Sequence, residues 1–113
     1  NLLDLLSLII YNIDDLDDPI LKSYIFKVKG DILLDQKDFS SAISNYKLAS
    51  KYADSDLNKA KFDIATSSAL LKDNSYREAI KLLKEVLAIK DINFNDKNKA
   101  EELLAIANYK MGT

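Results

Sequence analysis

Residues 23–50, SYIFKVKGDILLDQKDFSSAISNYKLAS, decide the fold. They hold two apolar-rich segments separated by the short polar break Asp35-Gln36-Lys37-Asp38. In the second segment Ile43, Tyr46, Ala49 and, just beyond, Ala53 recur at three and four, the spacing of one stripe on a 3.6-residue helix. The pattern returns in Ile80, Leu83, Val86 and Leu87, and the small residues Ala42 and Ala79 stand 37 positions apart.

Two further breaks fix the remaining helices. Asp17-Asp18-Pro19 supplies an acidic N-cap with proline at the first helical position. Ser75-Tyr76-Arg77-Glu78 has the spacing of a capping box, in which the Ser oxygen takes one orphan helix N–H and the Glu carboxylate reaches back for another. The pattern predicts six helices, over 2–13, 19–35, 39–53, 57–72, 76–90 and 97–111. Connections of about three to six residues force consecutive helices to lie antiparallel.

Composition agrees with an all-α domain. The 113 residues include only 2 Gly and 1 Pro, too few turn formers for the many reversals of an all-β fold. With no Cys and no His, the chain has no thiol nucleophile, no imidazole base and no ordinary zinc site. Sixteen basic against 18 acidic side chains leave a net charge of −2, which gives no long-range field for nucleic acid or an anionic membrane. A protein partner is the expected ligand.

Residues 23–50 also resemble the tetratricopeptide repeat, a helix-turn-helix unit of 34 residues. Counting a unit from Ser23, the small positions hold Gly30 and Ala42, the aromatic positions Phe39 and Tyr46, and Leu33 and Ala49 fill two more. A second unit from Ala60 places Ser67, Leu70, Tyr76, Ala79, Leu83 and Val86 correspondingly, with the extra residues of the longer period assigned to the turn near 52–58. The stretch 104–112 resembles the first helix of a third unit, and Ser7 to Tyr11 the second helix of a preceding one. The resemblance implies a right-handed α-solenoid divided as 1–16, 19–56, 57–93 and 96–113, a half repeat, two repeats and a half repeat. The chain does not start with Met, so a piece of a longer protein is expected.

First helices of such units line a concave face that holds an extended peptide or a partner helix. Carried over position by position, that face takes Tyr24, Lys27, Asp31 and Leu34, then Lys61, Ile64, Ser68 and Leu71, then Lys99, Glu102, Ile106 and Tyr109. Leu34, Ile64 and Leu71 have an alternative use in packing against adjacent helices. Some members of the family clamp a terminal carboxylate with Lys and Asn. Lys27 fits that pattern, but Asp31 replaces the Asn and is expected to repel a carboxylate.

Two acid-rich stretches have the clustered oxygen donors of a calcium loop. The one from Asp54 has Lys59 where the turn glycine belongs, and the one from Asp91 has Asp96 there, so neither is expected to bind a metal. Asp14, Asp15, Asp17 and Asp18 are expected to be a solvated cap. No pair of carboxylates sits in an evident apolar pocket, so no glycosidase-type chemistry is expected. The expectation is a module with no enzyme activity and no cofactor.

The first helix is too apolar for one neighbour: Leu2, Leu3, Leu5, Leu6, Leu8, Ile9, Ile10 and Ile13 cannot share a single stripe. It is too short and too acidic at Asp4 to be a membrane span, and no Lys or Arg precedes Lys22. Self-association through Leu3 and Leu6 is therefore expected, as a homodimer. The alternative function is a structural segment that packs on other copies or on other parts of a longer chain. Absence of cysteine leaves cytoplasm and bacterial cell envelope equally open.

Overall fold

In a computed structural model that describes residues 2–12 and 17–112, the chain forms six α-helices: α1 (Leu2–Tyr11), α2 (Pro19–Asp35), α3 (Phe39–Lys51), α4 (Asp56–Lys72), α5 (Tyr76–Leu87) and α6 (Phe94–Met111). No strand occurs among the described residues. Each helix packs on the next across α1/α2, α2/α3, α3/α4, α4/α5 and α5/α6, and α4 also touches α6.

Capping explains most of the boundaries. Asp18 Oδ1 accepts from the backbone N–H of Ile20 at 3.0 Å and of Leu21 at 3.2 Å, and Pro19 follows at the position where a missing N–H costs nothing. α6 starts at Phe94, three residues earlier than the apolar pattern indicates, because Asn93 Oδ1 accepts from the Asp96 N–H at 2.8 Å. α5 stops at Leu87 rather than near residue 90, and the turn that follows carries Asp91 in the left-handed region. The expected capping box is only half right. Ser75 is the N-cap of α5 but makes no side-chain cap bond, and the reciprocal bond is also absent: the Ser75 N–H donates to Leu70 O and the Glu78 carboxylate pairs with Lys47 of α3, 2.8 Å away.

The 37-residue period appears in the backbone. α2 ends with Lys37 N–H donating to Leu34 O and Asp38 N–H to Leu33 O; α4 ends with Asn74 N–H donating to Leu71 O and Ser75 N–H to Leu70 O. Both are Schellman closures, with Lys37 and Asn74 in the left-handed region, where a side chain is strained and Asn is better tolerated than Lys. The residue that ends each closure is also the N-cap of the next helix, so the turn is three residues long and the hairpin tight.

Packing is continuous along the stack. Leu33, Ala42, Ile43, Tyr46, Ala69, Leu70 and Ala79 form one buried cluster across α2 to α5, and Ala60, Ile64, Leu83, Val86, Ala100 and Leu103 a second across α4 to α6. Leu83 and Val86 are fully buried, each contributing about 1.5–3 kcal/mol. The closest crossing is at Gly30: a Cβ there would lie 2.6 Å from two ring atoms of Tyr46, so only glycine lets α2 approach the ring. Buried polar groups are satisfied: Ser23 Oγ donates to Ala49 O, and Asp63 accepts from Ser50 Oγ and, at 2.7 Å, from Lys59.

Among the described residues α1 packs mainly on α2. Leu6, expected at a self-association surface, is 8% exposed and so is buried within the chain. Leu2, Leu5 and Leu8 are 60%, 56% and 63% exposed, and Ile9 joins them. The Leu3 side chain and residues 13–16, which include Asp14 and Asp15, lie outside what is described. Asp17 and Asp18 are exposed. Among the described residues no helix is long and apolar enough to cross a membrane.

Candidate functional site

A groove of about 590 Å³ runs along the side of the molecule formed by α2, α4 and the start of α6. Helical spacing places its walls. Tyr24, Lys27, Val28, Asp31 and Leu34 fall on one face of α2, and Lys61, Ile64, Ala65 and Ser68 repeat that ladder on α4, 37 residues later. Phe62 and Tyr46 complete the apolar wall, and Lys99 stands at the α6 end.

Aromatic contacts join α2 to α4. The Tyr24 ring meets Phe62 edge to face, centroids 6.0 Å apart at 83°, while half of Tyr24 remains exposed. Beneath it, Tyr46 is 1% exposed and donates from its hydroxyl to Asp31 Oδ1 at 2.6 Å. The other Asp31 oxygen accepts from Lys27 Nζ at 2.7 Å. Burial pushes the Tyr46 phenol above its ordinary range, and the bond to Asp31 with the charges of Asp31 and Asp35 pushes it further. The hydroxyl is therefore a fixed donor at neutral pH, and the charge of Asp31 is offset within the protein. The repulsion of carboxylates expected from Asp31 is accordingly reduced. A second pair, Lys61 Nζ to Asp96 Oδ2 at 2.8 Å, ties α4 to α6 at the groove's edge.

Eight of the twelve residues expected on this face line the groove: Tyr24, Lys27, Asp31, Leu34, Lys61, Ile64, Ser68 and Lys99. Leu71, Glu102, Ile106 and Tyr109 do not. Leu71 packs between the two core clusters, the alternative use foreseen for it. Glu102, Ile106 and Tyr109 lie exposed farther along α6, which turns Ala100, Leu103 and Ala107 inward and meets the groove only at Lys99. Tyr109, 81% exposed, has no wall opposite it among the groove residues. The residues missed were Val28, Tyr46, Phe62 and Ala65. An i, i+4, i+7 ladder from Tyr24 and from Lys61 finds Val28 and Ala65; Phe62 and Tyr46 are set by the helix crossing and have no such signal.

The opposite side carries a smaller cleft of about 390 Å³ between α3 and α5, with α4 at its base. The Lys47–Glu78 and Lys59–Asp63 pairs occupy much of its charge. Among the described residues no group of three or more acidic side chains is placed to hold a metal ion.

The fold and groove together define an all-helical domain that presents one long, partly aromatic, lysine-edged trough. The chain matches no protein-family model, no curated protein and no solved structure.

Proposed function

We propose that this chain is a tetratricopeptide-like solenoid segment and a non-catalytic protein-interaction module, whose groove between α2, α4 and α6 holds a peptide segment of a partner protein. The observation that carries this is the convergence of exposed Tyr24 with Val28, Phe62 and Ile64 in a trough edged by three lysines. Exposed aromatic surface beside apolar side chains gives contact area at low entropy cost, which is how peptide-binding surfaces obtain affinity. The repeated Schellman turns and the 37-residue spacing support the solenoid reading. The test is capture with the immobilised chain, comparing wild type with Tyr24→Ala. Recovery of a stoichiometric heterologous partner by the wild type, reduced in the variant, supports the module. Recovery unaffected by Tyr24→Ala moves the interface elsewhere.

A second reading rests on α1. Its exposed Leu2, Leu5, Leu8 and Ile9 form a strip that water solvates poorly, and a second copy of the chain is one way to cover it. Concentration-dependent light scattering reads this out directly. A chain that stays monomeric to millimolar concentration removes self-assembly from consideration.

A further inference from the structure

The groove's hydrogen-bonding capacity is one-sided. A lysine ammonium has three N–H donors. Lys27 spends one on Asp31, Lys61 spends one on Asp96, and Lys99 pairs with no described residue. The acceptors are already engaged internally: one Asp31 oxygen takes the Tyr46 hydroxyl and the other takes Lys27, while Asp96 is largely buried and its Oδ2 accepts from both Lys61 and Asn93. What the trough offers an occupant is therefore apolar surface with ammonium donors along it, on a chain whose net charge is −2.

The donors are also spread out. Lys27, Lys61 and Lys99 come from three different helices, α2, α4 and α6. α4 packs on α6 and the Tyr24–Phe62 ring contact joins α2 to α4, so at about 10 Å per step the row spans roughly 20 Å, which a polyproline II chain rising ~3.1 Å per residue crosses in about six residues with i, i+3 and i+6 on one face. Three ammoniums at such spacing match several carboxylates on one strand better than one carboxylate at a chain end.

Resting on the peptide-groove reading above, we propose that the occupant is an internal, extended segment with acidic side chains about three residues apart and apolar side chains between them. The acidic groups meet Lys27, Lys61 and Lys99, and the apolar groups lie on the exposed Tyr24 and Val28. Asp31 is a positioning residue: by engaging Lys27 and the Tyr46 hydroxyl it holds both, and its charge is offset by Lys27.

Fluorescence anisotropy with three labelled peptides of about twelve residues, acetylated and amidated so that no terminal charge exists, tests this on the intact chain. One probe carries Glu at every third position among Leu and Ala, the second has Lys for Glu, and the third keeps Glu but has Ser for Leu. The acidic, apolar probe is expected to bind about tenfold or more tighter than either control, because three exposed ion pairs sum to that order. The margin should shrink with salt and be lost in Lys61→Gln/Lys99→Gln, whose exposed side chains leave helicity by circular dichroism unchanged. Equal or tighter binding of the lysine probe overturns the acidic preference while leaving the groove as a peptide site. Binding by none of the three probes overturns both.

Discussion

Replacing Gly30 by Ala sets two known effects against each other. In an exposed helix interior the change is favourable by about 1 kcal/mol, since glycine loses the most backbone entropy. At Gly30 the new methyl would sit 2.6 Å from Cδ1 and Cε1 of Tyr46 and 3.1 Å from Cζ, well inside van der Waals contact. The ring has little room to yield, being 1% exposed with its hydroxyl held by Asp31. Overpacking of this kind costs about 1–3 kcal/mol, and the upper part of that range applies when the ring must move against a hydrogen bond. The net expectation is destabilisation of about 1–2 kcal/mol, a fall in Tm of roughly 5–10 °C for a domain near 100 residues. The second repeat shows how to release the clash, since Ser67 and Leu83 stand where Gly30 and Tyr46 do. In a Tyr46→Leu background, Gly30→Ala should be neutral or stabilising. Thermal unfolding by circular dichroism on the four chains of this cycle gives the coupling directly. A Gly30→Ala chain that melts higher than wild type would falsify the close crossing.

Four other outcomes rest on the core, the groove and α1. Ala42→Leu and Ala79→Leu place extra volume at fully buried positions and should each cost about 1–3 kcal/mol by urea unfolding; unchanged midpoints in both would refute the hairpin alignment. Tyr24→Ala should weaken binding of the acidic, apolar probe about tenfold or more, as loss of an aromatic anchor does, while Tyr109→Ala leaves it unchanged; equal losses would place α6 in the interface. Tyr46 carries a phenol whose ionisation is raised on folding, so above about pH 10 the unfolded chain releases a proton that the folded chain keeps, and the stability Tyr46 provides declines as pH rises. Wild type should exceed Tyr46→Phe by about 1 kcal/mol at neutral pH, with the gap closing above pH 10; a gap constant to pH 11 contradicts the raised phenol. Leu5→Lys with Leu8→Lys should abolish any self-association while preserving helicity, and persistence of dimers in that variant would locate the contact away from α1.

The legible part of this fold is the part written in periodic, local signals. The Asp18-Pro19 start, the breaks at residues 35–38 and 73–75, and the apolar stripes of α3 and α5 each act within one helical turn, so a single pass along the chain finds them. The groove positions on α2 and α4 came from the family resemblance, and one 37-residue shift carries Tyr24 to Lys61, Lys27 to Ile64 and Asp31 to Ser68. Legibility failed where tertiary contacts decide. Glu78 matches a capping box by spacing, yet a lysine 31 residues away in sequence takes its carboxylate. Leu6 and Leu8 are equivalent in composition, and only the rotation of α1 on α2 buries the first and exposes the second. Along α6 the side chains expected to face the groove turn to solvent, because Ala100, Leu103 and Ala107 supply the smaller face that packs on α5.

Titrating ¹⁵N-labelled chain with the acidic, apolar peptide and following backbone amide shifts tests the central claim, that the α2/α4/α6 trough is the binding surface. Shifts are expected along Tyr24 to Leu34, along Lys61 to Ser68 and at Lys99, with α1 and the Lys47–Glu78 cleft unmoved. Shifts confined to α1 or to the cleft between α3 and α5, with Tyr24 and Ile64 silent, would contradict it.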